Sequence, residues 1–171
     1  MNLKNFIRDI PDFPSPGILF RDITTALLDP EALRLSIDAM AKLLEGRIFD
    51  VILGAESRGF IFGAPIAIKQ GKGLILARKK GRLPGPVVSR NYFLEYGMDS
   101  IEIHKDDILP GQRAVIIDDL LATGGTCKCI CDIIESLGAK VLRSVFLIEL
   151  EALDGREILE QSCEVKSILK Y

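Results

Sequence analysis

The sequence predicts an α/β protein with a mostly parallel central sheet flanked by helices, and three observations carry the prediction. Four short apolar runs, FDVILG (49–54), GLILAR (73–78), RAVIID (113–118) and RSVFLIEL (143–150), are continuous rather than alternating. Such runs suit strands covered on both faces, as in parallel sheets. Helical patterns separate them, and strand–helix–strand alternation argues for right-handed crossovers within one sheet. The third observation is size: 171 residues, 48% of them hydrophobic, furnish the core of one compact domain and are few for two.

The elements follow in chain order. IPDFPSPGILFRDIT (10–24) carries three prolines ahead of an apolar pair and an Arg-Asp pair, and reads as an extended segment laid over the domain; residues 1–28 would form a small hood. PEALRLSIDAMAKLLE (30–45) puts Leu33, Ile37, Met40 and Leu44 on one stripe behind an N-terminal proline, the mark of an amphipathic helix. FDVILG is followed by the helical GFIFGAPIAIKQ (59–70) and then by GLILAR. KKGRLPGPVVSRN (79–91) is rich in Gly, Pro and basic residues and predicts a long loop, a mobile one over about 79–95. YFLEYGMDSIEIH alternates across Gly97, as a hairpin does. RAVIID leads to the helix TCKCICDIIESLGA (126–139), closed by a glycine in C-cap position, and RSVFLIEL follows.

Bulk properties narrow the function classes. A formal net charge of −2 offers no electrostatic footprint for nucleic acid. The N-terminal MNLKNFIRDIPDF has scattered charges instead of an apolar signal core, and no apolar run approaches the roughly 20 residues that span a bilayer. A soluble, cytoplasmic protein with no membrane or nucleic-acid partner is therefore expected. Cys127, Cys129 and Cys131 lack the Cys-x-x-Cys spacing of zinc and redox sites, the single His104 lies far from them, and buried thiols are expected.

The stretch VIIDDLLATGGT (115–126) carries the chemistry. It sits at the carboxyl end of a predicted parallel strand, where open α/β sheets bind ligands. Backbone N–H groups of its glycine turn, joined to a helix N-terminus, make an anion site that fits a phosphate, and Thr123 and Thr126 add hydroxyls. It is not a P-loop, because the lysine after the second glycine is missing. Asp118 and Asp119 are acceptors that match the vicinal hydroxyls of a ribose. A sugar 5-phosphate satisfies both halves.

This stretch resembles the phosphoribosyl-pyrophosphate (PRPP) motif of the type I phosphoribosyltransferases. FPSPGILFRDIT (13–24), GAESRGFIFG (54–63), RKKGRLPG (78–85), YFLEYG (92–97) and DDLLATGGT (118–126) resemble, in order and spacing, the blocks of the adenine phosphoribosyltransferase family. The resemblance implies the reaction adenine + PRPP → AMP + pyrophosphate in purine salvage, with Mg²⁺ carried by PRPP, few direct protein ligands to it, and a homodimer. It assigns the phosphate and ribose to Asp118, Asp119, Ala122, Thr123, Gly124, Gly125 and Thr126. Pyrophosphate falls to Glu56, Ser57, Arg58, Arg78 and Lys79, with a cis peptide between Glu56 and Ser57. Leu19 and Arg21 match the adenine positions, and Glu95 matches a glutamate that manages a purine ring proton, which makes Glu95, Asp118 and Asp119 the catalytic set. Ala26 and Asp107 depart from the family pattern, which commonly has proline and alanine there.

Alternatives remain at this stage. A phosphoribosyltransferase for a 6-oxopurine is expected to carry a lysine after the phosphate loop, and VFLIEL has none. A non-catalytic PRPP-binding regulatory module is expected to lack the basic loop or its glutamate, and RKKGRLPG and LEYG are both present. A Rossmann dinucleotide protein would need a Gly-x-Gly-x-x-Gly fingerprint that is absent.

Overall fold

A computed structural model describes residues 2–94 and 97–171, the side chains of Phe93 and Leu94 excepted. The chain divides into two compact units, Met1–Ala39 and Met40–Tyr171.

In the first unit the proline-rich segment folds back on itself. Strands β1 (Arg8–Pro11) and β2 (Leu19–Asp22) pair antiparallel, with Arg8 opposite Asp22 and Pro11 opposite Leu19. Pro11 closes its strand, where a missing N–H costs no ladder bond. Between the strands Gly17 takes φ +85° and donates its N–H to Asp12 at 2.7 Å, while Phe13 meets Phe20 edge-on at 5.1 Å. The expected extended segment is thus a hairpin. Helix α1 (Thr24–Leu28) follows, and α2 (Pro30–Lys42) opens on Pro30, with the Asp29 carboxylate accepting from the Glu31 and Ala32 N–H groups at 3.0 and 2.8 Å. Beyond Lys42 the backbone tightens to three-residue hydrogen bonds, Leu44 to Ala41 and Glu45 to Lys42, so the helix stops short of the expected Glu45.

The second unit is built on β3 (Val51–Ala55), β4 (Gly73–Lys79), β5 (Val87–Leu94), β6 (Gly97–His104), β7 (Arg113–Leu121), β8 (Lys140–Glu149) and β9 (Glu164–Lys170). Among the described residues these form one sheet in the order β5-β6-β4-β3-β7-β8-β9. Neighbours from β4 to β9 are parallel, and β6 and β5 add antiparallel at one edge. Helices α3 (Gly59–Gln70), α4 (Gly125–Ser136) and α5 (Gly155–Glu160) complete it.

Burial explains why the strand signals are continuous. Every residue of β3 is buried, and its alternate residues serve opposite faces. Val51, Leu53 and Ala55 join Ile116 of β7 and Ile130 and Ile134 of α4 in one apolar cluster. On the other face α3 lies against β3, β4 and β7, close enough that the backbone of Gly54 faces Phe60 and Gly63. All four cysteines are buried and free, as expected. Among the described residues, no helix is long and apolar enough to cross a membrane.

One further expectation needs correction. The long loop over 79–91 is shorter, because β4 runs through Lys79 and β5 opens at Val87. Val88 and Tyr92 pack against the core cluster, and that burial pulls the segment into the ladder with β6. The chain after Glu149 also holds α5 and β9, which no apolar run announced: in EVKSILK only Val165 and Leu169 are buried.

Ion pairs at the β8–β9 edge give the fold an acid limb. Arg143 donates to Glu164 through Nε at 3.1 Å and Nη2 at 2.6 Å, and this fork holds the Glu164 carboxyl at about 2 rather than 4.5. Its folded pKa is depressed, so the contribution is present above the ordinary carboxylate range and is lost as pH falls from 4.5 towards about 2. An Arg143→Met protein should be less stable at neutral pH and should lose less on acidification. Urea unfolding at neutral pH and near pH 3 checks this; equal acid losses in the two proteins would remove Glu164 from the account.

Candidate active site

The site grows from the carboxyl ends of the central strands. β7 is buried through Ile117, and the next two residues are the aspartates. Asp119 is 5% exposed, and its N–H donates to Asp118 Oδ1 at 2.8 Å. Burial pushes both carboxyls up. Asp118 is pushed furthest, because its neighbour's charge adds to the burial. At Asp119 the Arg58 guanidinium opposes the rise, with its Nε 2.7 Å from Oδ2.

Beyond Leu121 the chain turns through Ala122, Thr123 and Gly124, where φ is +80°, and enters α4 at Gly125. The turn and the helix start line a pocket that Asp118 also borders. This is the concave, donor-rich geometry expected of an anion site at the N-terminus of a long helix.

β3 delivers the second wall. After Ala55 the chain passes through Glu56, Ser57 and Arg58 into α3, and the Glu56–Ser57 peptide is cis, as expected. Glu56 reaches across to the end of β4, accepting from the Lys79 N–H at 2.6 Å and from Arg78 Nε at 3.3 Å. Glu56, Ser57, Arg58, Lys79, Asp118, Asp119 and Thr126 enclose a cavity of about 370 Å³, within the range of small-molecule sites. Asp118, Leu120 and Thr126 border both cavities, so the two halves adjoin at Asp118.

The structure therefore brings together Glu56, Ser57, Arg58, Lys79, Asp118, Asp119 and the 122–126 turn. Arg78 stands outside the cavity lining, engaged by Glu56 and by the Arg82 carbonyl at 3.2 Å. Leu19 and Arg21 lie on β2 of the first unit, Leu19 exposed and Arg21 paired with Asp9. Glu95 and Tyr96 lie outside the described residues. His104 is held by the Pro84 carbonyl at 2.8 Å and by Asp107 at 3.4 Å. Among the described residues, no group of three or more His, Cys, Asp or Glu is placed to hold a metal ion.

Sequence reasoning missed Asp99 and Tyr92. Lys79 Nζ lies 2.9 Å from Asp99 Oδ2, and the Tyr92 hydroxyl donates to the same oxygen at 3.4 Å. The signal was available in the hairpin register: pairing Leu94 with Gly97 makes Tyr92 and Asp99 cross-strand partners. Asp99 holds the Lys79 ammonium charged, and Lys79 in turn lowers the Asp99 carboxyl.

Comparison with known proteins decides the family. A model of the phosphoribosyl transferase domain matches residues 24–167. The adenine phosphoribosyltransferase of Lachnoclostridium phytofermentans is 54% identical over 169 residues, covering 99% of this chain and 97% of that one. The chain belongs to the adenine phosphoribosyltransferase family. Its fold agrees with solved members. The Thermoanaerobacter pseudethanolicus enzyme superposes with a TM-score of 0.95 at 52% identity, over 99% of this chain and 98% of that one. The Saccharomyces cerevisiae enzyme, crystallised with adenine and an imino-altritol bisphosphate, gives a TM-score of 0.89 at 38% identity over 95% of this chain and 94% of that one. Against this family the alternative of a regulatory module is not favoured.

Proposed function

We propose that the protein transfers the 5-phosphoribosyl group of PRPP to adenine, giving AMP and pyrophosphate in purine salvage. One observation carries the reading: Asp118 at a strand end borders both the glycine turn and a cavity that it lines together with Asp119, Arg58 and Lys79.

Each part has a task set by its chemistry. The 122–126 turn and the first N–H groups of α4 hold the 5-phosphate, with hydroxyls from Thr123 and Thr126. Asp118 and Asp119 accept from the ribose 2′- and 3′-hydroxyls, fix the ring, and favour the positive charge that builds at C1′. The turn at Glu56 and Ser57, with Arg58 and Lys79, faces the leaving pyrophosphate, and Arg78 supports them through Glu56. Adenine N9 forms the new bond to C1′ as the C1′–O bond breaks, and the electron pair departs with pyrophosphate. Glu95 manages the purine proton, and Leu19 and Arg21 frame the base. These last three assignments rest on the family match alone.

The donor set fits Mg²⁺ as a passenger of PRPP. Asp118 and Asp119, whose carboxylates would hold the ribose hydroxyls, are the hard oxygen donors the site offers to such a cation. When bound, the cation neutralises pyrophosphate charge. A homodimer belongs to the same proposal.

A base panel tests it. With PRPP and Mg²⁺, adenine should yield AMP at a kcat/KM exceeding that for hypoxanthine, guanine or xanthine by about a hundredfold or more, since buried donors and acceptors reject the mismatched purine edge. Nucleotide from a 6-oxopurine but none from adenine would overturn the substrate, and no product from any base would overturn the catalysis.

A further inference from the structure

We infer that Gly155 is a positioning residue for the phosphate-binding turn, acting as a backstop on which residues 122–124 rest. The inference deepens the assignment of that turn to the 5-phosphate and rests on it.

The contact is backbone against backbone. A β-carbon built on Gly155 would fall deep inside the Ala122 carbonyl oxygen, and 2.9 Å from both the Gly124 nitrogen and the Thr123 carbonyl carbon. The reciprocal test agrees: a β-carbon on Gly124 would lie 2.8 Å from the Gly155 oxygen and 3.3 Å from its Cα. Two glycines thirty-one residues apart in the chain have approached as closely as main chains allow. Gly155 is buried, and it faces the turn on which the 5-phosphate is placed.

The backstop is itself anchored. Asp154 takes a left-handed φ of +52°, which swings Gly155 under the turn. Arg156 then forks onto Glu149 at 2.7 and 2.6 Å and donates to the Val165 carbonyl at 2.9 Å. Glu149 is 3% exposed, ends β8, and is the ladder partner of Leu121, the last residue of β7 before the turn. Leu150 donates to the Leu121 carbonyl at 2.9 Å, closing the frame. The turn is thus clamped between its own strand and a short segment locked to β8 and β9. A turn that presents N–H donors to phosphate gains from such support, because its dipoles need no reorganisation when the anion arrives.

The test separates the phosphate end of the ligand from its pyrophosphate end. Gly155→Ala forces the turn to move by something on the order of 1 Å, and displacement of that size in a positioning element costs roughly 10- to 100-fold. The KM for PRPP and the inhibition constant of AMP should rise by that factor, while that of pyrophosphate stays near wild type. Arg156→Lys keeps the charge but loses the fork; it should weaken AMP inhibition in the same direction, and it carries the test if the alanine protein does not fold. Folded variants that weaken AMP and pyrophosphate equally, or neither, would overturn the backstop. If the wild-type protein is not inhibited by AMP or by ribose 5-phosphate, the phosphate assignment fails, and this inference falls with it.

Discussion

Asp119→Asn is expected to lower kcat/KM for PRPP by about 10²–10³-fold, the loss typical of a buried group aimed at transition-state charge, while leaving the protein as stable as before or more so. The carboxylate is almost wholly buried, and Arg58 lies 2.7 Å away. An amide cannot serve as an ionised acceptor for a ribose hydroxyl, and it offers no charge to favour an electron-poor ring. Stability follows the opposite sign. Burial pushes the Asp119 carboxyl up, so ionising it as pH rises above its ordinary range costs the folded protein stability. The amide removes that cost and the repulsion with Asp118. The lost pair with Arg58, whose side chain is 37% exposed, subtracts only about 1 kcal/mol at most. Steady-state kinetics and a thermal melt together check the point. A fall in Tm beyond about 4 °C, or roughly 1 kcal/mol in a chain of this size, would mean that Asp119 supports the fold and that its kinetic effect is indirect.

A residue kept where it weakens the fold is a candidate for function, and the same positions stand out in the sequence. Two adjacent carboxylates at the end of RAVIID have no packing reason, and a Thr-Gly-Gly-Thr turn after them has a phosphate reason. Other parts were legible because their physics is local. Helix α3 falls on GFIFGAPIAIKQ as expected, and the parallel strands lie on their apolar runs, since burial on both faces writes itself into consecutive residues. What escaped is long-range. Lys79 meets Asp99 across an antiparallel edge, and nothing in the residues between them announces the meeting. β9 is an edge strand whose two buried residues are too few for a pattern. The contact of Gly155 with Ala122 and Gly124 exists only once β7 and β8 are side by side.

Gly59→Ala should cost the protein both stability and rate, whereas Gly63→Ala in the same helix should be nearly neutral. Gly63 lies inside the helix, where alanine gains about 1 kcal/mol of propensity, whereas Gly59 opens it and gains no more than that, so the contrast turns on what each new methyl group meets. At Gly59 a β-carbon would lie 2.6 Å from the Ile117 carbonyl oxygen, 3.0 Å from Asp118 Oδ1 and 3.3 Å from Asp118 Cα. The Ile117 carbonyl, the closest of these, belongs to buried backbone of β7 paired on both sides, and it cannot yield. Relief therefore moves the start of α3 away from the strand end, at an overpacking cost of about 1–3 kcal/mol that exceeds the propensity gain. The same movement carries Arg58 away from Asp119 and displaces the turn at Glu56 and Ser57, so kcat/KM should fall by roughly 10²-fold. At Gly63 the nearest atom is Leu74 Cδ1 at 3.1 Å, the tip of a side chain that can rotate, and propensity offsets the crowding. Urea unfolding and steady-state rates of the two proteins decide between this picture and a general intolerance of α3. Equal losses at both glycines would show that the helix, and not its abutment on the aspartate strand, sets the effect.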